Sequence, residues 1–121
     1  MLPVTVSTEQ AGKTCPIRNV LAKVTGKWQM LIVLSLEDGA LRFGELKRTV
    51  GDITQRVLTE NLRSLERDGY LTRTVNPGPP IAVSYELTDL GRQLITVMKP
   101  MVIFAAESFQ QVMASREKYD G

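Results

Sequence analysis

The pattern of apolar positions predicts a mainly helical chain. Apolar residues recur every three to four positions in five segments, which is the pattern of helices that bury one face. The five segments are residues 14–25, 28–36, 43–50, 54–68 and 88–118. The second is apolar on most sides, which in a small domain predicts a central buried helix. The fourth is the clearest, because Leu58, Leu62 and Leu65 repeat on one face.

Residues at the ends of these segments support the predicted boundaries. Thr14, Thr54 and Thr88 each stand where a helix should begin, and a threonine side chain there accepts a hydrogen bond from a free N–H group. Gly69 provides a stop after the fourth segment. Pro100 lies within the last segment, and an interior proline predicts that this helix is kinked or divided.

Two segments have the pattern of strands instead. Residues 70–75 and 82–87 are rich in β-branched and aromatic side chains, and residues 76–80 between them (Asn-Pro-Gly-Pro-Pro) are not expected to continue a ladder. These segments predict a hairpin with a stiff tip, and residues 41–43 predict a further short strand. Two short helices across a tight turn, followed by a hairpin, are typical of a winged helix-turn-helix. The predicted fold class is mainly α with a small antiparallel β-hairpin.

Composition narrows the possible functions. The chain has 121 residues, of which 15 are basic and 13 acidic, with one cysteine and no histidine. This length predicts one domain (14–121), and the lack of periodicity before it predicts a flexible N-terminal arm (1–13). Without histidine, the usual ligands of zinc and haem and the usual base of cysteine catalysis are missing, so we expect no cofactor, no metal site and no enzymatic activity. The chain shows neither an export signal nor a membrane-spanning run, which predicts a cytoplasmic protein that contacts no membrane.

The polar face of the fourth predicted helix carries residue types that read DNA. The candidate reading residues are Thr54, Gln55, Arg56, Thr59 and Arg63. Glutamine matches adenine and arginine matches guanine in the major groove. Alternatively, these charges only solubilise an amphipathic helix through pairs three and four residues apart. Position favours DNA, because residues 41–75 hold seven basic and five acidic groups, an excess equal to that of the whole chain.

Further basic residues are placed where they would contact the DNA backbone. Arg42, Lys47 and Arg48 precede the reading segment, and Arg73 lies at the base of the hairpin. Contacts to phosphate position a protein on DNA without reading its sequence. Residues 41–87 are therefore expected to form the DNA-reading core and wing.

Five motifs occur in a fixed order along the chain. They are Gly26-Lys27-Trp28, Leu41-Arg42-Phe43-Gly44-Glu45-Leu46-Lys47-Arg48, Ile53-Thr54-Gln55-Arg56-Val57-Leu58-Thr59, Leu62-Arg63-Ser64-Leu65-Glu66-Arg67-Asp68-Gly69-Tyr70-Leu71 and Tyr85-Glu86-Leu87-Thr88-Asp89-Leu90-Gly91. Together they resemble the HxlR-type regulators, bacterial winged-helix proteins related to the multiple-antibiotic-resistance regulators, over about residues 15–104. The resemblance implies a homodimer that binds a dyad-symmetric operator in double-stranded DNA, with residues 54–68 as the recognition helix and residues 75–82 as the wing.

The resemblance also implies a dimer interface formed by the first and last helices. The implied interface residues are Ile17, Val20, Leu21, Met101, Phe104, Ala105, Phe109 and Val112. The sequence itself agrees at the last helix (88–118), because beyond Pro100 it is apolar over more than one face. One departure concerns the wing: Ile81 follows the paired prolines, where many relatives have a basic residue.

The single cysteine has two interpretations. Cys15 lies at the predicted start of the first helix, near Lys13 and Arg18, and both the helix dipole and these charges favour the reactive thiolate. Several HxlR-type proteins resemble this arrangement and use such a cysteine as a redox or quinone sensor. Cys15 is thus a candidate sensor of an oxidant or small-molecule effector. The second interpretation is a small buried residue that packs under the interface.

The winged-helix pattern also fits a binding module that does not contact DNA. A winged helix can bind a protein or a small ligand instead, and the modest charge excess favours this interpretation. Tyr70 and Tyr85 are expected either to brace the hairpin or to line a small-ligand cavity between subunits.

Overall fold

The computed structural model describes Ile17 and residues 26–121. In chain order the elements are α1 (Lys27–Ser35), β1 (Leu41–Arg42), α2 (Phe43–Val50), α3 (Gln55–Arg67), β2 (Leu71–Asn76), β3 (Ala82–Leu87) and α4 (Asp89–Asp120). The predicted fold class is confirmed: α2 and α3 form the helix-turn-helix, and β2 and β3 form the hairpin that follows it. In this part of the chain, every helix is too short or too polar to cross a lipid bilayer.

Several sequence predictions fall outside the described residues. They concern the arm at residues 1–13, the candidate cap Thr14, Cys15 and the interface residues Val20 and Leu21. Of the predicted first helix, Ile17 is described, and it is helical and half-buried.

Helix α1 lies at the centre of the fold, as its apolar sequence predicts. It packs against α2, α3 and α4, and Ile32 and Val33 are completely buried. Trp28 is half-buried against the core, and Lys27 Nζ lies 4.6 Å from the centroid of its indole ring. The other helices are therefore fixed relative to one another through α1.

The turn between α2 and α3 sets the position of the reading helix. Gly51 ends α2 with a φ of +99°, a left-handed conformation that side chains other than glycine rarely adopt. Ile53 then inserts into the core. Thr54 Oγ1 accepts a hydrogen bond from the N–H of Val57 at 3.2 Å, so the predicted N-cap is confirmed. Buried apolar contacts and a cap thus fix the start of α3.

The sheet contains β1 in addition to the two strands of the hairpin. Its order is β1-β3-β2, all antiparallel, with Leu41 opposite Tyr85 and Arg42 opposite Ser84. The short strand predicted at residues 41–43 ends at Arg42, because Phe43 begins α2. β1 thereby ties the helix-turn-helix to the hairpin.

Both ends of β2 differ from the prediction by one residue, whereas β3 has the predicted bounds. Asn76 pairs with Ala82, because unlike the prolines after it an asparagine retains its N–H group. Tyr70 precedes the strand, because its N–H donates to the carbonyl of Leu65 at 3.0 Å and closes the end of α3.

Helix α4 continues through Pro100, so the helix is not divided there, and the kink, the other predicted outcome, stays a prediction. A proline removes one backbone hydrogen bond, and the 32-residue helix keeps its turns on both sides. Its N-terminal half buries Leu94, Ile95 and Met98.

An ion pair links α4 to the turn after α1. Near the proline, Lys99 Nζ donates to Glu37 Oε2 at 2.6 Å, and this hydrogen bond, with the charge of Glu37, raises the pKa of Lys99. Beyond this contact the helix leaves the core.

Candidate nucleic-acid interface

Helix α3 separates its two faces completely. Leu58, Leu62 and Leu65 are at most 1% exposed and fix the helix against the core. On the other side Gln55, Arg56 and Arg63 are exposed to solvent, and Thr59 is half-buried. Four of the five candidate reading residues share one polar surface with Glu60, whereas Thr54 caps the helix. We call this surface the reading face: Gln55, Arg56, Thr59, Glu60 and Arg63.

The two threonines of the candidate set also have backbone partners. Thr54 Oγ1 caps the helix, and Thr59 Oγ1 donates to the carbonyl of Gln55 at 2.8 Å. The hydroxyl hydrogen of Thr54 is still available for a phosphate oxygen, and the lone pairs of Thr59 are available for a donor on a base. Thr54 thus stabilises the start of α3 before any ligand arrives.

Arg56 has an acidic partner on the same face of α3. Arg56 Nε donates to Glu60 Oε1 at 3.2 Å, and the two side chains are 87% and 59% exposed. A pair this exposed holds its members weakly, since water competes for both charges. Arg56 can therefore leave Glu60 for a nucleic-acid acceptor at small cost.

The basic residues of the elements that precede α3 are exposed at the surface. Arg42, Lys47 and Arg48 are all exposed, the first at the N-cap of α2 and the others in its last turn. The backbone N–H of Arg42 donates to Glu45 Oε1 at 2.8 Å, which fixes the start of α2. The guanidinium of Arg42 is left at the surface.

The structure brings together Arg63 and Arg73, two cations that the sequence keeps apart. Arg63 belongs to α3 and Arg73 to β2, and both line a cleft of about 490 Å³ between the helix and the sheet. The cleft, which we call the helix–sheet cleft, was not predicted. The cleft forms because residues of β2 and β3 lie beside α3, and no local sequence pattern predicts this long-range contact.

The C-terminal half of α4 presents the apolar residues implied for the dimer interface. Met101, Phe104, Phe109 and Val112 are between 38% and 69% exposed, and Ala105 is exposed as well. Val97 and Ile103, which were not among the predicted interface residues, are also exposed. The position of Val97 and Ile103 along the helix does not predict that they are exposed, because their exposure depends on where α4 leaves the core.

Comparisons with known proteins agree with this geometry. The family model described as HxlR-like helix-turn-helix matches residues 23–113. YtfH of Escherichia coli (strain K12), named an uncharacterized HTH-type transcriptional regulator, is 36% identical over 86% of this chain and 82% of its own. The structure of ytfH from Salmonella typhimurium has a TM-score of 0.81 at 37% identity, over 88% of this chain and 96% of its own. The redox regulator HypR in its oxidized form has a TM-score of 0.71 at 38% identity, over 77% and 96%.

Proposed function

The chain belongs to the HxlR-like helix-turn-helix family and is a transcriptional regulator of the helix-turn-helix type, and we propose that it acts as a homodimer on a dyad-symmetric operator. The observation that carries the proposal is the reading face of α3, which is polar and exposed opposite three buried leucines. In this arrangement the helix enters the major groove and its N-terminal residues meet base edges.

Each residue of the interface has a proposed part. Gln55, Arg56, Thr59 and Arg63 contact bases, and Thr54 contacts a phosphate while it caps the helix. Arg42, Lys47, Arg48 and Arg73 contact the DNA backbone. The exposed apolar half of α4, together with Ile17, Val20 and Leu21, joins two copies so that the half-sites lie about one helical turn, roughly 34 Å, apart. This function assigns no catalytic residue, and it places the protein in the bacterial cytoplasm with the chromosome.

The test of DNA binding is a titration of the full chain with promoter DNA from beside its own gene, at two salt concentrations. A regulator that neutralises several phosphates loses affinity steeply as salt rises, and it retains a preference for one sequence. A scrambled duplex of the same length is the control. No binding at low salt would favour a winged helix that binds only protein or small ligands, an interpretation to which the relatives give no support.

We also propose that Cys15 makes this regulator responsive to oxidants or electrophiles. Its support is the similarity to HypR, a redox regulator, and the sequence position of Cys15 at the predicted start of a helix. In the proposed step two Cys15 thiols, one from each subunit, form a disulfide, and diamide takes up the two electrons and two protons. The disulfide would shift the dimer between DNA-binding and non-binding geometries.

The expected result is that diamide changes the operator affinity of the wild type and leaves a Cys15→Ser variant unaffected. Non-reducing electrophoresis should show a cross-linked dimer for the wild type only. If the Cys15→Ser variant responds to diamide as the wild type does, Cys15 is not the sensor and the proposal is wrong.

A further inference from the structure

We propose that the ion pair between Lys99 and Glu37 sets the angle at which α4 leaves the core, and thereby the spacing of half-sites that the dimer accepts. Both are positioning residues, because they act on DNA recognition through the direction of α4. The inference rests on the dimeric DNA-binding function proposed above.

Glu37 is fixed to the part of the molecule that carries the reading face. It lies in the turn after α1, where its N–H donates to the carbonyl of Leu34 at 3.1 Å and the preceding residue, Leu36, is buried. Helix α1 packs against α3, and β1 begins soon after the turn, at Leu41. The carboxylate of Glu37 therefore moves with α3.

Lys99 lies where α4 leaves the core. Met98 before it is completely buried, whereas Met101 is exposed. Pro100 has no N–H, so the carbonyl of Thr96, four residues back, lacks the hydrogen bond that this position would otherwise donate. A helix bends most readily where such a bond is missing. The ion pair thus acts at the point where α4 changes direction most easily.

The ion pair joins two separate elements at short range. Lys99 Nζ donates to Glu37 Oε2 at 2.6 Å, and the hydrogen bond and charge of Glu37, with the charge of Asp38, raise the pKa of Lys99. The side chains of Lys99 and Glu37 are 52% and 35% exposed, so the pair contributes little to folding stability. It differs from the pair of Arg56 and Glu60, which spans one turn of a single helix, because it fixes one element relative to another. Its loss should therefore change the direction of α4 and leave the fold intact.

The apolar contact between α1 and α4 does not fix this direction by itself. A groove of about 390 Å³ lies between the two helices, and its lining residues are all apolar: Met30, Leu31, Leu34, Met101, Val102 and Ala105. Hydrophobic attraction is non-directional, and methionine side chains adapt to a changed spacing. Helices packed in this way can slide on one another. A directional polar contact is therefore needed to define the angle.

A small change of this angle has a large effect at the proposed dimer interface. Helices rise about 1.5 Å per residue, so Val112 lies about 18 Å along α4 from Pro100. A tilt of about 10° at the proline moves Val112 by about 3 Å, close to the rise of about 3.4 Å per base pair. When two copies are joined through α4, the same tilt displaces each reading helix relative to its half-site. The angle at Lys99 therefore determines which half-site spacing the dimer fits.

The test measures operator affinity as a function of half-site spacing. Duplexes of equal length carry the same two half-sites at the selected spacing or with one base pair removed or added between them, and fluorescence anisotropy gives each Kd. One base pair shifts a half-site by about 3.4 Å and turns it by about 35°. The quantity compared is the ratio of Kd at an altered spacing to Kd at the selected spacing, because a change of net charge affects every duplex alike.

Four variants are compared with the wild type. Lys99→Glu and Glu37→Gln break the ion pair, and the double variant Lys99→Glu/Glu37→Lys restores it with the charges exchanged. Lys118→Glu, at an exposed position near the end of α4, makes the same charge change as Lys99→Glu away from the ion pair. Circular dichroism and sedimentation velocity establish that each variant is folded and dimeric.

For the wild type we expect a Kd at least tenfold higher at either altered spacing. Lys99→Glu and Glu37→Gln should each reduce this ratio at least threefold or move the preferred spacing by one base pair. The double variant should return the ratio to within twofold of wild type, and Lys118→Glu should leave it unchanged. A folded, dimeric Lys99→Glu variant with the wild-type ratio would overturn the inference, and so would a double variant that shows no recovery. Equal wild-type affinity at every spacing would instead refute the dyad-symmetric function proposed above, and this inference with it.

Discussion

Gly91 lies where the first turn of α4 passes against the backbone of Tyr70. A Cβ at this position would collide with the carbonyl oxygen of Tyr70 and would lie 3.0 Å from Leu87 Cδ2. That carbonyl also accepts the N–H of Thr88 at 3.1 Å, and Thr88 Oγ1 caps α4 by accepting the N–H of Gly91 at 3.1 Å. The carbonyl therefore cannot move away without disturbing the start of the helix.

We predict that Gly91→Ala lowers the free energy of unfolding by about 1 to 3 kcal/mol, the usual cost of forcing a group into a packed site. Urea denaturation measures it. The control is Gly44→Ala in α2, where a new Cβ meets only Arg48 Nη1 at an ordinary 3.6 Å. Gly44→Ala should be neutral or stabilising by about 0.5 to 1 kcal/mol, because alanine loses less entropy in a helix. Equal stability of Gly91→Ala and wild type would contradict this account.

Glu60 holds Arg56 on the reading face, and we predict that Glu60→Gln strengthens binding to every DNA sequence several-fold. The substitution frees the guanidinium and removes a negative charge from the surface that faces phosphate. Fluorescence anisotropy with specific and scrambled duplexes measures the change. Glu107→Gln, at an exposed position of α4, changes the net charge equally and should have little effect. Weaker binding by Glu60→Gln would mean that the carboxylate itself contacts a base.

At the scale of elements, α3 illustrates what the sequence can predict. Its cap at Thr54 and its buried leucines were predicted to the residue, because both signals lie within a few positions of one another. The partner of β1 was not predictable in the same way, since Leu41 pairs with Tyr85 more than forty positions later. The division predicted at Pro100 does not occur, because the one backbone hydrogen bond that the proline removes is small beside the many intact turns of α4. Local chemistry therefore predicts the elements, and long-range packing determines the helix–sheet cleft.

The exposed apolar half of α4 leads to a prediction on assembly. Phe104 is 69% exposed, so Phe104→Glu should leave the fold of the monomer intact while placing a charge in the proposed interface. Sedimentation velocity at micromolar concentration should show a dimer for the wild type and a monomer for the variant. Tyr119→Glu, near the end of the same helix and 90% exposed, should remain dimeric. A dimeric Phe104→Glu variant would exclude this part of α4 from the interface.

For the whole molecule, the small net charge conceals an uneven distribution. Residues 41–75 carry the basic excess, with basic side chains on β1, α2, α3 and β2, whereas residues 76–121 hold four basic and five acidic groups. The apolar surface of α4 belongs to this second part. The middle of the chain is thus suited to DNA and its C-terminal helix to a second subunit, as a dimeric regulator requires.

The most direct test of this account compares Arg56→Ala with Arg92→Ala on an operator selected from random duplexes and on a scrambled duplex. Arg92 is an exposed arginine of α4 and controls for the lost charge. Arg56→Ala should cost about 1 to 3 kcal/mol on the operator and much less on the scrambled duplex, because an arginine–guanine pair discriminates between bases by that amount. Arg92→Ala should change neither affinity. Equal losses for Arg56→Ala on both duplexes, or no loss at all, would contradict the claim that α3 reads DNA sequence.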